Sequence, residues 1–236
     1  MNLSGGCGTF CLHPALERLF LGTKTPPPQA TIRRLSIYLR CLNSLDDEGI
    51  TVISSRELAE RLDLNPAQVR KDLAHFGDFG KRGVGYTVAK LRDHLIKILG
   101  LQQKRLVGIV GAGGRLGHAL ALYKGFEKRN FKVMALFDKD PHVINQVYGE
   151  AGPIHHVSEL PRLVKELSLE ILVLCVPAEA LAEVFDYVRL SGAKAVLNFA
   201  PVKLASTDGV TVHNVDLALE LESLSYHLAA REAGRP

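Results

Sequence analysis

The strongest constraint on the fold of this chain is a glycine-rich turn that joins a buried strand to a helix. Leu106–Val110 is a continuous apolar run, as expected for a strand that is buried on both faces. Gly111–Gly117 follows it directly, and Ala119 and Leu120 begin a helical pattern. Glycines let the backbone turn sharply and approach a pyrophosphate, which the N–H groups at the start of the helix then bind. The segment therefore predicts the first turn of a dinucleotide-binding fold.

An acidic residue supports this interpretation and indicates the type of dinucleotide. Asp138 follows the next apolar run, Met134–Phe137. A carboxylate at this point accepts hydrogen bonds from both ribose hydroxyls and repels a 2′-phosphate, which favours NAD over NADP, although Lys139 weakens that exclusion slightly. The alternative is that the glycines serve only the close packing of helix on strand. Because strand, loop, helix and acid occur together, we favour a site for NADH and NAD⁺.

The glycine loop is one residue longer than the G-x-G-x-x-G pattern. We assign the three glycines of the pattern to Gly111, Gly113 and Gly117, although Gly114 can also occupy the position of close approach. The predicted contacts of the loop with the dinucleotide are Gly111, Gly113, Gly114, Arg115, Leu116 and Gly117.

Strand-like and helix-like segments alternate through the rest of the chain. Apolar runs at 171–176 and 195–199 resemble the first one, and helical patterns cover 115–128, 158–167 and 178–191. This alternation predicts a parallel, doubly wound α/β sheet of the Rossmann type. Ligands of such sheets lie at the carboxyl ends of the strands. We therefore add to the predicted cofactor contacts Val176, Pro177, Asn198, Ala200 and Pro201.

The first part of the chain follows a helical period and contains the pattern of a helix-turn-helix. Ser54–Glu57 has the S-x-x-E form of a capping box. Asn65–Pro66 supplies a cap and a first helical residue for a second helix, which we predict over Ala67–Phe76. The glycine-flanked segment Gly80–Tyr86 is typical of a β-wing. Together these elements predict a winged helix-turn-helix domain, whose second helix enters the major groove.

The second helix and the wing carry side chains suited to a nucleic acid. Glutamine suits adenine edges, and arginine suits guanine edges or phosphate. Basic residues at the tip of a wing suit phosphate or the minor groove. A solvated helix face is the alternative, and the formal net charge of +4 does not decide between them. The order of cap, turn, helix and basic wing favours double-stranded DNA. The predicted DNA contacts are Gln68, Arg70, Lys71, His75, Lys81 and Arg82.

The end of the chain has an amphipathic pattern. Asn214 can cap a helix that runs from Val215 to about Ala230. One apolar stripe of this helix has coiled-coil-like spacing and consists of Leu217, Leu221, Leu224 and Leu228. Such a helix packs either on its own domain or on a second copy of the chain, and the sequence leaves both open.

The segments divide the chain into four parts. We predict a disordered leader at 1–27, a winged-helix domain at 28–100, a Rossmann domain at 101–213 and a C-terminal dimerisation helix and tail at 214–236. No apolar run of about 18 residues occurs, so no membrane span is expected. The four cysteines are scattered without a CxxC pair, which favours the reducing cytoplasm.

Metal binding and catalysis are the less favoured interpretations. Cys7, Cys11 and His13 lie close together, but a lone CxxxC with one nearby histidine is a weak metal pattern. His155–His156 and His213 are better explained as surface or packing residues than as acid–base groups. We therefore predict neither a bound metal nor an enzyme.

With these motifs identified, the chain resembles the Rex family of bacterial redox-sensing transcriptional repressors. The resemblance runs from about Pro28 to Ala229 and excludes the leader up to Lys24. The segments that carry it are Gln68–Leu73, Phe76–Gly77, Arg82–Tyr86, Gly111–Gly117, Phe137–Asp138, Asn198–Pro201 and Asn214–Asp216. The extra residue in the glycine loop departs from the family pattern, and Leu217 stands where some relatives have an aromatic residue.

The resemblance implies a homodimer that reads a palindromic operator with its winged helices and senses the NADH/NAD⁺ ratio with its Rossmann domains. NADH binding releases the DNA, whereas NAD⁺ competes with NADH and permits DNA binding. The terminal helix is implied to be swapped between protomers. The implied switch is Asp216, which pairs with Arg40 in one state and with Tyr123 in the other. A small NAD-dependent oxidoreductase and a CoA-binding module are the alternatives, but neither explains the helix-turn-helix and wing.

Overall fold

The computed structural model describes residues 27–81, 83–207 and 209–232. The chain divides into two compact units, and the division falls between Gln102 and Gln103. Arg82 and nearly all of the predicted leader, with Cys7 and Cys11, lie outside the described residues. None of the helices in the described ranges has the length and apolar content needed to cross a bilayer.

The first unit is mainly helical. Its described elements are α1 (Gln29–Asp47), β1 (Val52–Ile53), α2 (Ser55–Arg61), α3 (Pro66–Ala74), β2 (Gly80–Lys81), β3 (Gly85–Thr87) and α4 (Val88–Ile98). Helix α1 packs against α4, and α2 packs against α3. Leucines from all four helices meet in one buried core, among them Leu35, Leu42, Leu58, Leu73 and Leu91. Burial of these apolar side chains is the main stabilising term for so short a set of elements.

The strands of the first unit form an antiparallel sheet in the order β1-β3-β2. Strands β2 and β3 are the two arms of the predicted wing, and β1 adds a third strand by pairing Val52 with Thr87. Gly85 has a φ of +101°, and a Cβ there would lie 2.5 Å from the carbonyl oxygen of Ile53. Only glycine permits both the backbone angle and the close approach of β3 to β1. The structure therefore confirms the winged helix-turn-helix prediction.

The second unit is built on a six-stranded sheet. Its described elements are β4 (Arg105–Val110), α5 (Arg115–Ala121), β5 (Phe131–Asp138), β6 (Ile154–His156), α6 (Leu160–Glu166), β7 (Ile171–Leu174), α7 (Ala178–Ser191), β8 (Ala195–Asn198), β9 (Thr211–Asn214) and α8 (Leu217–Glu232). All neighbouring strands are parallel, in the order β6-β5-β4-β7-β8-β9. Counted within the unit this order is 3-2-1-4-5-6, which is the Rossmann topology. The predicted fold class is confirmed.

The apolar strands are continuous because both faces of the sheet are covered. Successive side chains of a strand point to opposite faces. Leu172 and Leu174 accordingly pack in the core under α6 and α7, whereas Val173 packs in the core that includes Leu120 of α5. A strand in this position needs apolar residues at every position, which is the pattern seen in the sequence.

Three of the predicted local assignments are wrong. The helix predicted over 115–128 ends at Ala121, and the chain then turns before a short 3₁₀ segment at Glu127–Arg129. The loop predicted for His155–His156 is part of β6, which pairs with β5 at one edge of the sheet. This strand has only three residues and was missed because so short a segment shows no period.

Asn214 does not cap the last helix. It ends β9, and its Oδ1 accepts hydrogen bonds from Asn198 Nδ2 at 2.8 Å and from the backbone N–H of Leu204 at 2.9 Å. Asp216 takes the capping role, since its Oδ1 accepts from the N–H of Ala218 at 2.9 Å. The cap is therefore two residues later than predicted.

Candidate functional sites

Two local caps fix the helix-turn-helix. The Ser54 side chain accepts from the N–H of Glu57 at 3.1 Å, and Glu57 Oε2 accepts from the N–H of Ser54 at 2.8 Å, which completes the predicted capping box. Asn65 Oδ1 accepts from the N–H of Ala67 at 2.8 Å, with Pro66 as the first residue of α3. These contacts set where α3 begins and therefore which of its side chains point outward.

Helix α3 buries one face and exposes the other. Val69 and Leu73 are buried in the core, whereas Arg70 and Lys71 are exposed. Arg70 Nη1 donates to Ser55 Oγ at 3.2 Å, so this guanidinium is held near the start of α2. Both basic side chains are therefore accessible on the outer face of the helix.

The other predicted DNA contacts differ in exposure. Lys81 is exposed in β2, and His75 is half-buried immediately after α3. Gln68 is half-buried, and its Nε2 donates to Asp72 Oδ1 at 2.8 Å. Arg82 lies outside the described residues.

A groove of about 480 Å³ separates α3 from the wing. Arg70 lines it on one side and Lys81 on the other, and Asp78 is the acidic side chain in its lining. Two cations that face a concave surface are suited to a phosphate of a nucleic-acid backbone.

A buried polar network behind α3 was not predicted from the sequence. Asp72 is 1% exposed and accepts five hydrogen bonds. Arg34 donates from Nε to Oδ2 at 2.5 Å and from Nη2 to Oδ1 at 2.8 Å. Tyr38 donates to Oδ2 at 2.7 Å, Thr31 to Oδ1 at 3.2 Å, and Gln68 to Oδ1. The pairs Gln68–Asp72 at i, i+4 and Thr31–Arg34 at i, i+3 are the parts of this network that a helical sequence pattern can reveal.

The glycine loop in the second unit resolves the register that the sequence left open. Gly111 has a φ of +83°, and a Cβ there would lie 2.6 Å from the carbonyl oxygen of Cys175. A Cβ at Gly117 would collide with the carbonyl oxygen of Gly111, and one at Gly113 would lie 2.7 Å from Val143. A Cβ at Gly114 would meet only an atom at 3.4 Å. The sterically required glycines are therefore 111, 113 and 117, and the extra residue is accommodated at the N-cap of α5.

Asp138 lies at the end of β5, directly beside the glycine loop. Its Oδ2 accepts from the N–H of Gly113 at 2.8 Å, and its Oδ1 accepts from the N–H groups of Lys139 at 2.7 Å and Asp140 at 3.1 Å. The bond to Gly113 fixes the carboxylate next to the loop that approaches a pyrophosphate. This is the position at which a Rossmann acid meets a ribose.

A cavity of about 180 Å³ lies where the strand order reverses, between the ends of β4 and β7. Gly111, Gly114, Asp138, Val176 and Pro177 line this cavity, as predicted for a dinucleotide site. Apolar walls, a carboxylate and a glycine cradle together fit NADH or NAD⁺.

The remaining loop residues do not line that cavity. Arg115 and Leu116 are exposed in the first turn of α5, where their backbone N–H groups are at the helix start. Gly117 is buried in the same helix. Their side chains are therefore not walls of the cavity, and their backbone N–H groups lie in the first turn of α5.

Asn198 supports a loop and does not face the cavity. It is 0% exposed, and its Nδ2 donates to the Val202 carbonyl and to Asn214 Oδ1, each at 2.8 Å, while its Oδ1 accepts from the N–H of Ala200 at 3.0 Å. Ala200 is buried and Pro201 is exposed outside the cavity lining. In this structure the Asn198 amide therefore holds the loop that follows β8 and links it to β9.

The three residues of the implied switch are exposed in their own units. Arg40 lies on α1. Tyr123 is 56% exposed in the turn after α5, where its ring packs edge-on against Phe126 with centroids 5.1 Å apart. Asp216 is exposed at the start of α8, where it caps Ala218.

Helix α8 exposes a set of large apolar side chains among the residues that the structure describes. The exposed large side chains on α8 are Leu217, Leu219, Leu221, Leu224, Tyr226 and Leu228. A contiguous exposed apolar patch is a feature typical of interaction surfaces.

The histidines of β6, the Cys175 thiol and the grouping of possible metal ligands are the features relevant to catalysis and metal binding. His155 Nδ1 lies 3.9 Å from Glu159 Oε1, and His156 Nδ1 lies 2.7 Å from Ser158 Oγ, on an edge strand. Burial raises the pKa of the Cys175 thiol to about 12, which disfavours the nucleophilic thiolate. Within the described ranges no group of three His, Cys, Asp or Glu side chains is arranged to hold a metal ion.

Comparisons with known proteins agree with this division into two sites. The family described as "Putative DNA-binding protein N-terminus" matches residues 28–74, and the family described as "CoA binding domain" matches residues 102–202. A crystal structure of RSP, a Rex-family repressor, with NAD⁺ and operator DNA has a TM-score of 0.83 and 36% identity, and covers 89% of this chain and 96% of that one. The structure of RSP with NADH has a TM-score of 0.79 and 35% identity, and covers 89% of this chain and 98% of that one.

The matches to curated relatives cover nearly the whole length of those relatives. The redox-sensing transcriptional repressor Rex of Desulforamulus reducens is 45% identical over 205 residues, which are 87% of this chain and 97% of the relative. The redox-sensing transcriptional repressor Rex 1 of Thermotoga maritima is 41% identical over 206 residues, which are 87% of this chain and 98% of the relative. The chain therefore belongs to the Rex family of redox-sensing transcriptional repressors.

Proposed function

We propose that the protein represses transcription by binding a palindromic operator as a homodimer and that it releases the operator when NADH occupies the second unit. The observation that carries this proposal is the presence, in one chain, of a winged helix with outward Arg70 and Lys71 and a Rossmann cavity with Asp138 beside its glycine loop. A function in DNA binding alone does not explain the Rossmann cavity, and a function in dinucleotide binding alone does not explain the winged helix.

In the first unit, α3 is the recognition helix. Arg70 and Lys71 project from its exposed face toward the base edges and phosphates, and Lys81 of the wing reaches the backbone from the other side of the groove. The proposed DNA contacts also include Gln68 in the first turn of α3, His75 directly after α3, and Arg82, which follows Lys81 in the sequence. Phosphate contacts hold the unit on the duplex, and side chains at the start of α3 select the sequence.

In the second unit, the backbone N–H groups at the start of α5 hold the pyrophosphate, and Asp138 accepts a hydrogen bond from the ribose. Val176 and Pro177 supply apolar walls. NADH and NAD⁺ differ in the charge and shape of the nicotinamide ring, so a pocket that binds them unequally reports their ratio. The unit acts as a sensor and does not catalyse hydride transfer.

The dimer is the proposed link between the two sites. The exposed leucine stripe of α8 is covered by a partner protomer, and Asp216 exchanges its pairing between Arg40 and Tyr123. Recognition helices of a dimer enter successive major grooves about 34–36 Å apart. A change of a few ångströms in this spacing breaks several contacts at once, which couples the cofactor to DNA affinity. We propose that the protein acts in the cytoplasm, where both of its proposed partners, DNA and NADH, occur.

The experiment is a titration of NADH and of NAD⁺ into the complex of the protein with duplexes that it selects from random-sequence DNA. We expect NADH to weaken DNA binding by about 5- to 150-fold, the usual range of allosteric coupling, and NAD⁺ to have much less effect. Equal effects of the two nucleotides contradict the sensor. Scattering with and without NADH measures the separation of the two DNA-binding units, and an unchanged separation contradicts the spacing mechanism.

CoA is a second candidate ligand for the Rossmann unit, because the family that matches residues 102–202 is described as a CoA binding domain. Both ligands carry an adenosine and a pyrophosphate that the same glycine loop can hold. Competition between CoA and NADH, followed by NADH fluorescence, tests this candidate. Displacement of NADH by equimolar CoA supports it, and no displacement excludes it.

A further inference from the structure

One member of the buried network around Asp72 belongs to the proposed DNA surface. Gln68 lies in the first turn of α3, at the end of the helix that faces the bases. Its Nε2 donates to Asp72 Oδ1 at 2.8 Å, from one turn earlier on the same face of the helix. The Arg34 and Tyr38 side chains of α1 bind the same carboxylate from behind.

The bond to Asp72 fixes which way round the amide of Gln68 lies. A carboxylate only accepts hydrogen bonds, so the amide nitrogen, and not the amide oxygen, must face it. Burial alone would raise the pKa of Asp72, but hydrogen bonds from Arg34, Tyr38 and Gln68 outweigh it and hold the pKa below its usual value. Asp72 is therefore an anion at neutral pH and orients the amide under all physiological conditions.

We propose that Asp72 is a positioning residue that presents the amide of Gln68 to an adenine of the operator. One N–H of the amide is bonded to Asp72, which leaves the second N–H and Oε1. These are the donor and acceptor that pair with N7 and N6 of adenine. Without this bond the amide can rotate and offer either edge to the base pair. The inference rests on the proposed operator binding and adds a residue that sets base preference without touching DNA.

The alternative role for Asp72 is only to tie α1 to α3. Tyr38 separates the two roles, because its hydroxyl bonds to Oδ2 whereas Gln68 bonds to Oδ1. Tyr38→Phe removes one bond from the carboxylate and leaves the amide of Gln68 in place. It is therefore the matched control for Asp72→Asn, which removes the charge that orients the amide.

The test compares wild type, Asp72→Asn, Tyr38→Phe and Gln68→Ala on the duplex that wild type selects from random-sequence double-stranded DNA and on each single-base substitution of that duplex. We expect Gln68→Ala and Asp72→Asn to lose preference for adenine at the same base pair, by about 5- to 150-fold, while Tyr38→Phe keeps it. Asp72→Asn should add no further loss in the Gln68→Ala background. Uniform weakening at every position, or an unchanged preference in Asp72→Asn, overturns the proposal.

A spectroscopic measurement on the full-length wild type decides the question if Asp72→Asn fails to fold. We expect one of the two side-chain N–H protons of Gln68 in ¹⁵N NMR spectra to be protected from exchange with water in both wild type and Tyr38→Phe. Exchange as fast as that of an exposed glutamine overturns the proposal. A wild type that selects no duplex overturns the proposed function itself, which is a different result from selection with no role for Asp72.

Discussion

Replacement of Asp138 by alanine tests the dinucleotide site most directly. A carboxylate offers about four lone-pair positions. The N–H groups of Gly113, Lys139 and Asp140 already bond to it, two of them on Oδ1, so Oδ2 is the oxygen with most room for a ribose hydroxyl. The structure therefore supports one strong hydrogen bond to the ribose, where the sequence pattern alone suggested two.

A single hydrogen bond to a charged acceptor contributes about 1.5–3 kcal/mol. At 1.4 kcal/mol per factor of ten, Asp138→Ala should raise the Kd for NADH by about 10- to 150-fold. NADPH should be affected less, because the substitution also removes a negative charge that repels the 2′-phosphate. Fluorescence titration with each nucleotide measures both values.

Asp140→Ala is the matched control for this substitution. Asp140 is an exposed carboxylate two residues away, and its side chain accepts from the N–H of His142 at 2.9 Å. We expect its Kd for NADH to remain within about twofold of wild type, since it does not contact the glycine loop. Nucleotide-free Asp138→Ala should bind operator DNA as wild type does. An unchanged Kd for NADH, or an equal loss of operator affinity without nucleotide, refutes the assignment of Asp138.

Three further perturbations test other parts of the structure. Gly117→Ala should abolish NADH binding in a fluorescence titration, because the new Cβ collides with the Gly111 carbonyl. Gly114→Ala has room for its Cβ and should retain binding within about tenfold. Equal behaviour of the two variants contradicts the assignment of Gly111, Gly113 and Gly117 as the required glycines. The Leu221 side chain is 67% exposed, and Leu221→Glu should give a monomer in light scattering and weaken operator binding. Ser223 lies off the leucine stripe, so Ser223→Glu should have neither effect. A dimeric Leu221→Glu variant excludes this helix from the dimer interface. The pKa of Asp72 is lowered in the folded protein, so the Asp72 carboxylate stabilises the fold above the unfolded pKa near 3.8, and this contribution is lost as the pH falls below that value. Urea unfolding between pH 7 and pH 3 should show the loss of this contribution to the free energy of unfolding in wild type and not in Asp72→Asn.

Local signals in the sequence predicted the parts of the fold that depend on neighbouring residues. The capping box at Ser54–Glu57 and the cap at Asn65 join atoms two or three residues apart, so the residue types alone indicate them. The glycine loop and Asp138 were likewise recognisable by their order along the chain. The Rossmann topology followed from the alternation of apolar strands and helices.

Two of the wrong predictions and the missed contact of Asp72 share a cause, which is pairing between distant segments. Asn214 is a residue type that often caps helices, but its side chain instead accepts hydrogen bonds from Asn198 and from the backbone N–H of Leu204. Strand β6 is held by its register with β5, and its own three residues show no period. The contact between Asp72 and Arg34 spans 38 positions, which no local pattern reveals.

Positive charge in the first unit illustrates why a charge count does not identify a nucleic-acid partner. Arg34 pairs with the buried Asp72, Arg61 with Glu48 at 2.9 Å, and Arg92 with Asp46. These guanidiniums are neutralised within the protein and add little to the field outside it. The cations that line the groove between α3 and the wing are instead Arg70 and Lys81. A modest net charge of +4 is therefore compatible with tight DNA binding, because affinity depends on the few cations that the fold directs toward phosphate and not on their total.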